Sequence, residues 1–240
     1  LWWYKRQPLI IGHRGQWVNG VAENSREACL VAKEAGFHGC EFDVRQTIDG
    51  ALVIMHDDTL DRTTNAKQFY GRNGFPTSHY IADWSLSQLR ELTLGEVLPS
   101  GQFVPGKFNE TVSTLAEYLE FLKEIDMIAE VELKQSRNVS IVAAALDDIC
   151  ETGHIEKSFI ATCELRFQDV LTELQPFISL EKDFLYHTSP NSLQVPFNAN
   201  LVGIAAELAL FNPWVIPNSH HAQQGVVLYF LIIECPFFIN

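Results

Sequence analysis

Two stretches of this chain alternate carboxylates with apolar residues: Cys40-Glu41-Phe42-Asp43-Val44 and Glu130-Val131-Glu132-Leu133-Lys134. In an extended strand, residues two apart share a face. Glu41 and Asp43 therefore point one way, and Cys40, Phe42 and Val44 the other. In the second stretch Glu130, Glu132 and Lys134 oppose Val131 and Leu133. Charges on a buried strand are costly unless they are paired or hold a cation. A solvated edge strand would explain one such pattern. Its recurrence in two strands argues against that and favours charges that are paired or bind a metal.

The rest of the chain alternates strand and helix patterns. Short apolar runs fall at Leu9–Gly12, Gly39–Val44, Met127–Lys134, Ser158–Thr162, Phe184–His187, Leu201–Ala205 and Val226–Ile232. Helical periodicity falls between them, at Asn24–Ala35, Thr111–Ile125, Val139–Glu151 and Leu165–Leu174, and at the end of a helix at Ser219–Gln224. Asn24 is read as the N-cap of the first helix, with Glu27 completing a capping box. Such alternation implies a parallel sheet with helices outside it. At 240 residues, and without a Gly-rich phosphate turn, the expectation is an α/β fold of the TIM (β/α) barrel type. The whole chain, 1–240, reads as one domain, and 57–113 as an insertion lying over the barrel mouth. "ALVIM" after the Asp49-Gly50 turn reads as a side ribbon. Seven parallel positions are counted, and Pro236 is a poor residue for an eighth strand. An irregular seam between the last strand and the first is therefore expected.

A net charge of -13 argues against nucleic acid and bare anionic membrane as partners. It also means that a phosphate-bearing substrate needs a local positive centre. Cys29, Cys40, Cys150, Cys163 and Cys235 are widely spaced and read as small buried apolar residues. No run reaches the ~18–20 apolar residues of a spanning helix. Three aromatics before two cations in "LWWYKR" resemble the outflow of a membrane segment, which leaves membrane association upstream of residue 1 open. The compartment stays open between a secretory or membrane-associated location and the cytoplasm.

In a barrel, chemistry gathers at the C-terminal ends of the strands. His13-Arg14, Glu41-x-Asp43, His56-Asp57 and Glu132-x-Lys134 all fall at such ends. Three carboxylates offer hard oxygen ligands suited to one divalent cation, Mg²⁺ or Ca²⁺, and not to zinc. A cation with Arg14 and Lys134 around one point would hold a phosphate. Two histidines could move protons on and off its ester oxygens.

These pieces together resemble the glycerophosphodiester phosphodiesterase family: "HRG", then "EN", "EFD", "HDDTLDRTT" and "VELK", in order between residues 10 and 134. The resemblance implies a TIM barrel, a divalent ion, and cleavage of a small phosphodiester such as glycerophosphocholine into glycerol 3-phosphate and an alcohol. It implies metal binding by Glu41, Asp43 and Glu132, acid and base roles for His13 and His56, and phosphate contacts by Arg14 and Lys134. Glu23 and Asn24 match a supporting pair. In the seventh strand Phe230 or Leu231 stands where the family carries an aromatic wall. Two other readings remain. One is a phospholipase D-type enzyme acting on lysophospholipid or sphingolipid, with the aromatic insertion covering an acyl chain. The other is a truncated or inactive binding protein.

Overall fold

The structure, a computed structural model, describes residues 9–134, 138–162, 167 and 170, and the strands at 179–184, 201–205 and 225–229. The principal strands are β1 (Ile11–Gly12), β2 (Gly39–Gln46), β3 (Leu52–Ile54), β6 (Ile128–Leu133), β7 (Ser158–Thr162), β8 (Ser179–Phe184), β9 (Leu201–Ala205) and β10 (Gly225–Tyr229). A separate hairpin joins β4 (Gly95–Val97) to β5 (Phe103–Pro105). The main sheet runs β1-β2-β6-β7-β8-β9-β10, parallel at every pairing, and β3 hangs antiparallel on β2. The side ribbon is therefore where the Asp49-Gly50 turn puts it, with Gly50 at φ 86°. The fifth parallel strand is Ser179–Phe184, ahead of the stretch Phe184–His187 that periodicity selects. The tail that is expected to leave an irregular seam beside β1, Phe230 and Leu231, and the helix at Ser219–Gln224 lie outside the described residues.

The helices are α1 (Arg26–Glu34), α2 (Leu86–Leu89), α3 (Leu115–Glu124) and α4 (Ser140–Glu151). In α3, Leu115, Tyr118, Leu119 and Leu122 are buried on one face, and Thr114 and Glu117 close a capping box. Ser25, not Asn24, caps α1, its side chain accepting from the Ala28 N–H. Asn24 sits at φ 55° with its side chain turned onto β2, so it serves the sheet and not the helix.

Alternation in β2 sorts as the pattern requires. Cys40, Phe42 and Val44 join Leu119, Leu122, Val131 and Leu133 in the outer core between sheet and helices. Phe42 packs on Tyr118 with ring centroids 4.6 Å apart, and the Tyr118 hydroxyl donates to the Ser25 carbonyl at 3.0 Å. Removing a buried aromatic of this kind costs about 3–5 kcal/mol. Cys29 of α1 and Cys40 of β2 form a disulfide, so they are not the independent buried thiols expected from their spacing. Residues eleven apart in sequence meet because the helix folds back on the strand. Cys150 is free and exposed. His154, expected at the surface, is buried beside Ser158, with Nδ1 and Oγ 2.9 Å apart.

Residues between β3 and α3 carry their own apolar cluster, with Leu60, Ile81, Trp84, Leu89, Leu92 and Leu94 buried. No helix among the described residues is long and apolar enough to cross a membrane. The turn that follows β1 is set by Gly15. A Cβ there would lie 2.6 Å from the Ala28 backbone, and the residue holds φ 76°. Gly15→Ala should destabilise the chain by about 1–3 kcal/mol, read as a lower midpoint in chemical denaturation. An unchanged midpoint would show that turn and helix can separate freely.

Candidate active site

Glu41 pairs in register with Glu130, and Asp43 with Glu132, across β2 and β6. Alternation turns all four toward the inside, where all are buried. Glu41, Asp43 and Glu132 bring ligand oxygens within 4.8 Å of one another. Lys134, at the end of β6, reaches back to this group. Its ammonium lies 2.8 Å from Asp43 Oδ1 and also pairs with Glu132.

β1 delivers His13 and Arg14 to the same place. Arg14 sits at φ 57°, and its N–H donates to Glu41 Oε2 at 2.7 Å. Its guanidinium lies 3.4 Å from Asp43 Oδ2 and donates to Glu23 Oε1 at 3.2 Å. His13 Nε2 is 3.9 Å from Glu41 Oε2. Asn24 makes a double contact with Asp43: its amide donates to Oδ2 at 2.7 Å, and its carbonyl oxygen accepts the Asp43 N–H at 3.2 Å. The left-handed backbone at Asn24 makes that contact possible, which is why the residue cannot also cap α1.

His56 follows β3. Its carbonyl accepts two hydrogen bonds from Arg45, at 2.8 and 2.6 Å. Its Nδ1 is 2.7 Å from Asp57 Oδ1. Asp57 is gripped by Arg62, which also grips Glu23. Sequence reasoning places His13, Arg14, Glu23, Asn24, Glu41, Asp43, His56, Glu132 and Lys134 near one centre. Electrostatic and hydrogen-bond contacts link all nine. It passes over Arg45 and Arg62. Arg62 stands six positions after His56 in the "HDDTLDRTT" stretch, but a loop has no periodicity from which to read a side chain's direction.

The charges are strongly perturbed. Burial raises Glu41 well above the ordinary carboxylate range, and Asp43, Glu132 and Glu130 push it the same way. Burial would raise Asp43 too, but Lys134, His56 and Arg14 outweigh it and hold the group at about 2. Burial lowers His13 to about 4, with Arg14 adding to the fall. Lys134 is pushed up: burial opposes this, but Asp43, Glu132 and Glu41 prevail. Glu41 Oε1 is buried without a hydrogen-bond partner. An orphan oxygen among three converging carboxylates is a fit for a hard cation.

Of the other histidines, His79 pairs with Asp61 at 2.8 Å and stacks on Tyr70 with centroids 4.2 Å apart. His38 Nδ1 accepts the Ile10 N–H at 3.0 Å.

Parallel strands β2 and β6 bearing acids, with His13 after the parallel β1, define a barrel enzyme-type site. His56, expected at the end of a barrel strand, instead follows the antiparallel ribbon β3, which folds back along β2 and brings it to the same place. Residues 12–227 match the glycerophosphoryl diester phosphodiesterase family, and the chain belongs to that family. It has the TIM-barrel fold of its solved relatives. A glycerophosphodiester phosphodiesterase of Caldanaerobacter subterraneus subsp. tengcongensis is 36% identical over 126 residues, which are 52% of this chain and 45% of that protein. Glycerophosphodiester phosphodiesterase domain-containing protein 5 of Gallus gallus is 30% identical over 128 residues, 49% of this chain and 21% of that one. These matches thus span under half the length of either relative. An Oleispira antarctica phosphodiesterase, solved in complex with the product sn-glycerol-3-phosphate, superposes with a TM-score of 0.73 at 21% identity, covering 95% of this chain and 86% of that one. A glycerophosphodiester phosphodiesterase from Agrobacterium tumefaciens gives 0.70 at 24% identity, covering 93% and 87%.

The raised Glu41 fixes the sign of one pH effect. An acid whose folded pKa is raised destabilises the fold while ionised, and acidification through that pKa removes the cost. Asp43 works the other way: its stabilisation is complete above the unfolded value near 4 and is lost as pH falls toward 2. In the absence of divalent cations, Glu41→Gln should raise the melting temperature at neutral pH by several degrees, about 1–2 kcal/mol. It should also flatten the gain that the native chain shows on mild acidification above pH 4. A lower melting temperature for the variant would mean that the carboxylate is stabilising as it stands.

Proposed function

We propose that this chain is a metal-dependent phosphodiesterase that hydrolyses glycerophosphodiesters to glycerol 3-phosphate and an alcohol. The observation that carries the reading is the convergence of Glu41, Asp43 and Glu132, one oxygen of Glu41 being orphaned, beside two histidines. Family membership supports it, as does the product held by the Oleispira antarctica relative.

Glu41, Asp43 and Glu132 would hold the cation, and oxygen ligands of this kind suit Mg²⁺ or Ca²⁺. Such an ion supplies charge neutralisation to a phosphoryl oxygen. Arg14 and Lys134 extend positive charge along the same face, each already seated on Asp43. In the cation-free state they compensate the acids, so cation binding would free them in part for phosphate. In-line attack at phosphorus puts the proton acceptor and the proton donor on opposite sides of the group. His13 and His56 come from different loops and sit in different electrostatic surroundings. One is held neutral by burial and by Arg14, and the other rests on a carboxylate. Two like groups in unlike environments are how one site runs both proton transfers. Glu23 and Asn24 hold Arg14 and Asp43 in place.

Residues 57–113 are read as the cover that selects the alcohol. A phospholipase D-type reading on lysophospholipid has one observation in its favour. Trp17 and Val18 on the loop after β1, Val104 on β5 and Phe108 just past it are all exposed, and the two segments are joined by the Lys107 N–H donating to the Gly20 carbonyl at 2.9 Å. The Cys29–Cys40 bond is of a kind that persists in oxidising compartments, and so favours a secretory or membrane-associated location over the cytoplasm.

Purified chain should release glycerol 3-phosphate from glycerophosphocholine in Mg²⁺ or Ca²⁺ and lose turnover in excess chelator. Faster choline release from lysophosphatidylcholine would favour the second reading. Turnover of neither would favour an inactive binding protein. Glu132→Gln should lower activity by roughly 10²-fold or more, with weaker cation binding by calorimetry. His13→Ala and His56→Ala should each nearly abolish turnover, and the double variant should be little worse than either. Full activity in chelator, or losses that multiply, would overturn the scheme.

A further inference from the structure

We propose that Arg62 is a positioning residue for this reaction: by clamping Glu23 and Asp57 together it holds the His56 ring in one orientation and one tautomer, and ties that ring to the turn that carries His13 and Arg14. The proposal rests on the phosphodiesterase reading above.

The guanidinium donates to Glu23 Oε2 from Nη1 at 2.8 Å and to Glu23 Oε1 from Nη2 at 2.7 Å. It donates to Asp57 Oδ2 from Nε at 2.7 Å and to Asp57 Oδ1 from Nη2 at 2.9 Å. These four bonds occupy four of the five N–H groups of arginine. Both carboxylates are held by a fork, the geometry arginine has and lysine lacks. With so few donors left over, the side chain is a poor phosphate ligand and a good strap.

Each end of the strap leads to a proposed participant. Asp57 Oδ1 lies 2.7 Å from His56 Nδ1. Held by Arg62, Asp57 stays ionised and can only accept, so His56 Nδ1 must carry the proton. Nε2 is then the nitrogen left to exchange a proton with substrate. At the other end Glu23 Oε1 also accepts from Arg14, which lies 3.4 Å from Asp43. A line of charged contacts thus runs from His56 through Asp57, Arg62, Glu23 and Arg14 to Asp43. It joins the loop after β3 to the loop after β1, the two loops that carry the histidines.

The strap is itself braced. The Arg62 carbonyl accepts from the Val97 N–H at 2.8 Å and the Thr63 carbonyl from the Gly95 N–H at 2.9 Å, which anchors the backbone to β4. Thr63 and Thr64 are buried. A site on so short a tether gains from fixed geometry, since small misplacements cost large factors in rate.

The test compares the native chain with Arg62→Met, Arg62→Lys, Asp57→Asn and the Asp57→Asn/Arg62→Met pair. Arg62→Met should lower kcat by about 10- to 100-fold with KM and cation affinity nearly unchanged. Arg62→Lys should recover little, because one ammonium cannot fork to two carboxylates. The pair should be no slower than Asp57→Asn alone. A second readout needs no turnover: the ¹⁵N shifts of His56 in metal-free protein. The native ring should be the Nδ1–H tautomer when neutral, and Arg62→Met should mix in the other. A native Nε2–H tautomer, a loss confined to KM, or additive losses in the pair would overturn the proposal. If instead the native chain turns over no glycerophosphodiester while the tautomer changes as stated, the phosphodiesterase reading has failed and the strap stands.

Discussion

Four buried carboxylates face one another across β2 and β6, and the inner half of this structure is arranged around that repulsion. Parallel pairing places Glu41 beside Glu130 and Asp43 beside Glu132 with no freedom to separate. Like charges at such spacing in a poorly solvated interior cannot all stay ionised without compensation. Three devices supply it. Lys134 and Arg14 sit directly on Asp43, backbone and amide donors from Arg14 and Asn24 fill other lone pairs, and burial raises Glu41. What remains is a buried Glu41 oxygen with nothing to accept from. The fold thus carries a local electrostatic cost that a bound cation would relieve, as functional sites commonly do.

That cost explains much of the local backbone. Arg14 and Asn24, both non-glycine, hold positive φ because each must aim a donor at an acid on β2. The price is borne by a rigid frame: Gly15 packed on α1, the Ser25 cap, and the Phe42–Tyr118 contact behind the acids. The outer face of β2 is apolar and the inner face charged, so one strand fixes both the core and the site. The acids are as immobile as the core because they share its backbone.

Loops complete what the strands begin. His13 and His56 lie just past strand ends, where β1 and β3 stop, and each is steadied by groups from elsewhere in the chain. Arg45 forks onto the His56 carbonyl, and Arg62 forks onto two carboxylates from different loops. Charge-assisted contacts of this kind give fixed geometry to segments that have little apolar burial of their own. The separate apolar cluster around Trp84 serves the same end by making the long connection after β3 a supporting body.

The sequence alone determined the parts that depend on period. Alternation in 40–44 and 130–134 sets which side chains turn inward, since a strand has two faces whatever surrounds it. The run of strand and helix patterns sets a parallel α/β architecture, and residue type at the strand ends sets an oxygen-rich site with two imidazoles. The face of α3 follows from the spacing of Leu115, Tyr118, Leu119 and Leu122 for the same reason. Only the tertiary structure decided the rest. Asn24 abandons the cap that local rules give it because Asp43 lies within reach only after β1 and β2 pair. Cys29 and Cys40 bond because α1 folds back on β2. Arg62 finds two carboxylates, 39 and 5 residues away, because two loops converge at one end of the sheet. None of these has a periodic signature. A contact between loops is set by where the strands deliver their ends, and that is a property of the assembled sheet, not of any segment within it.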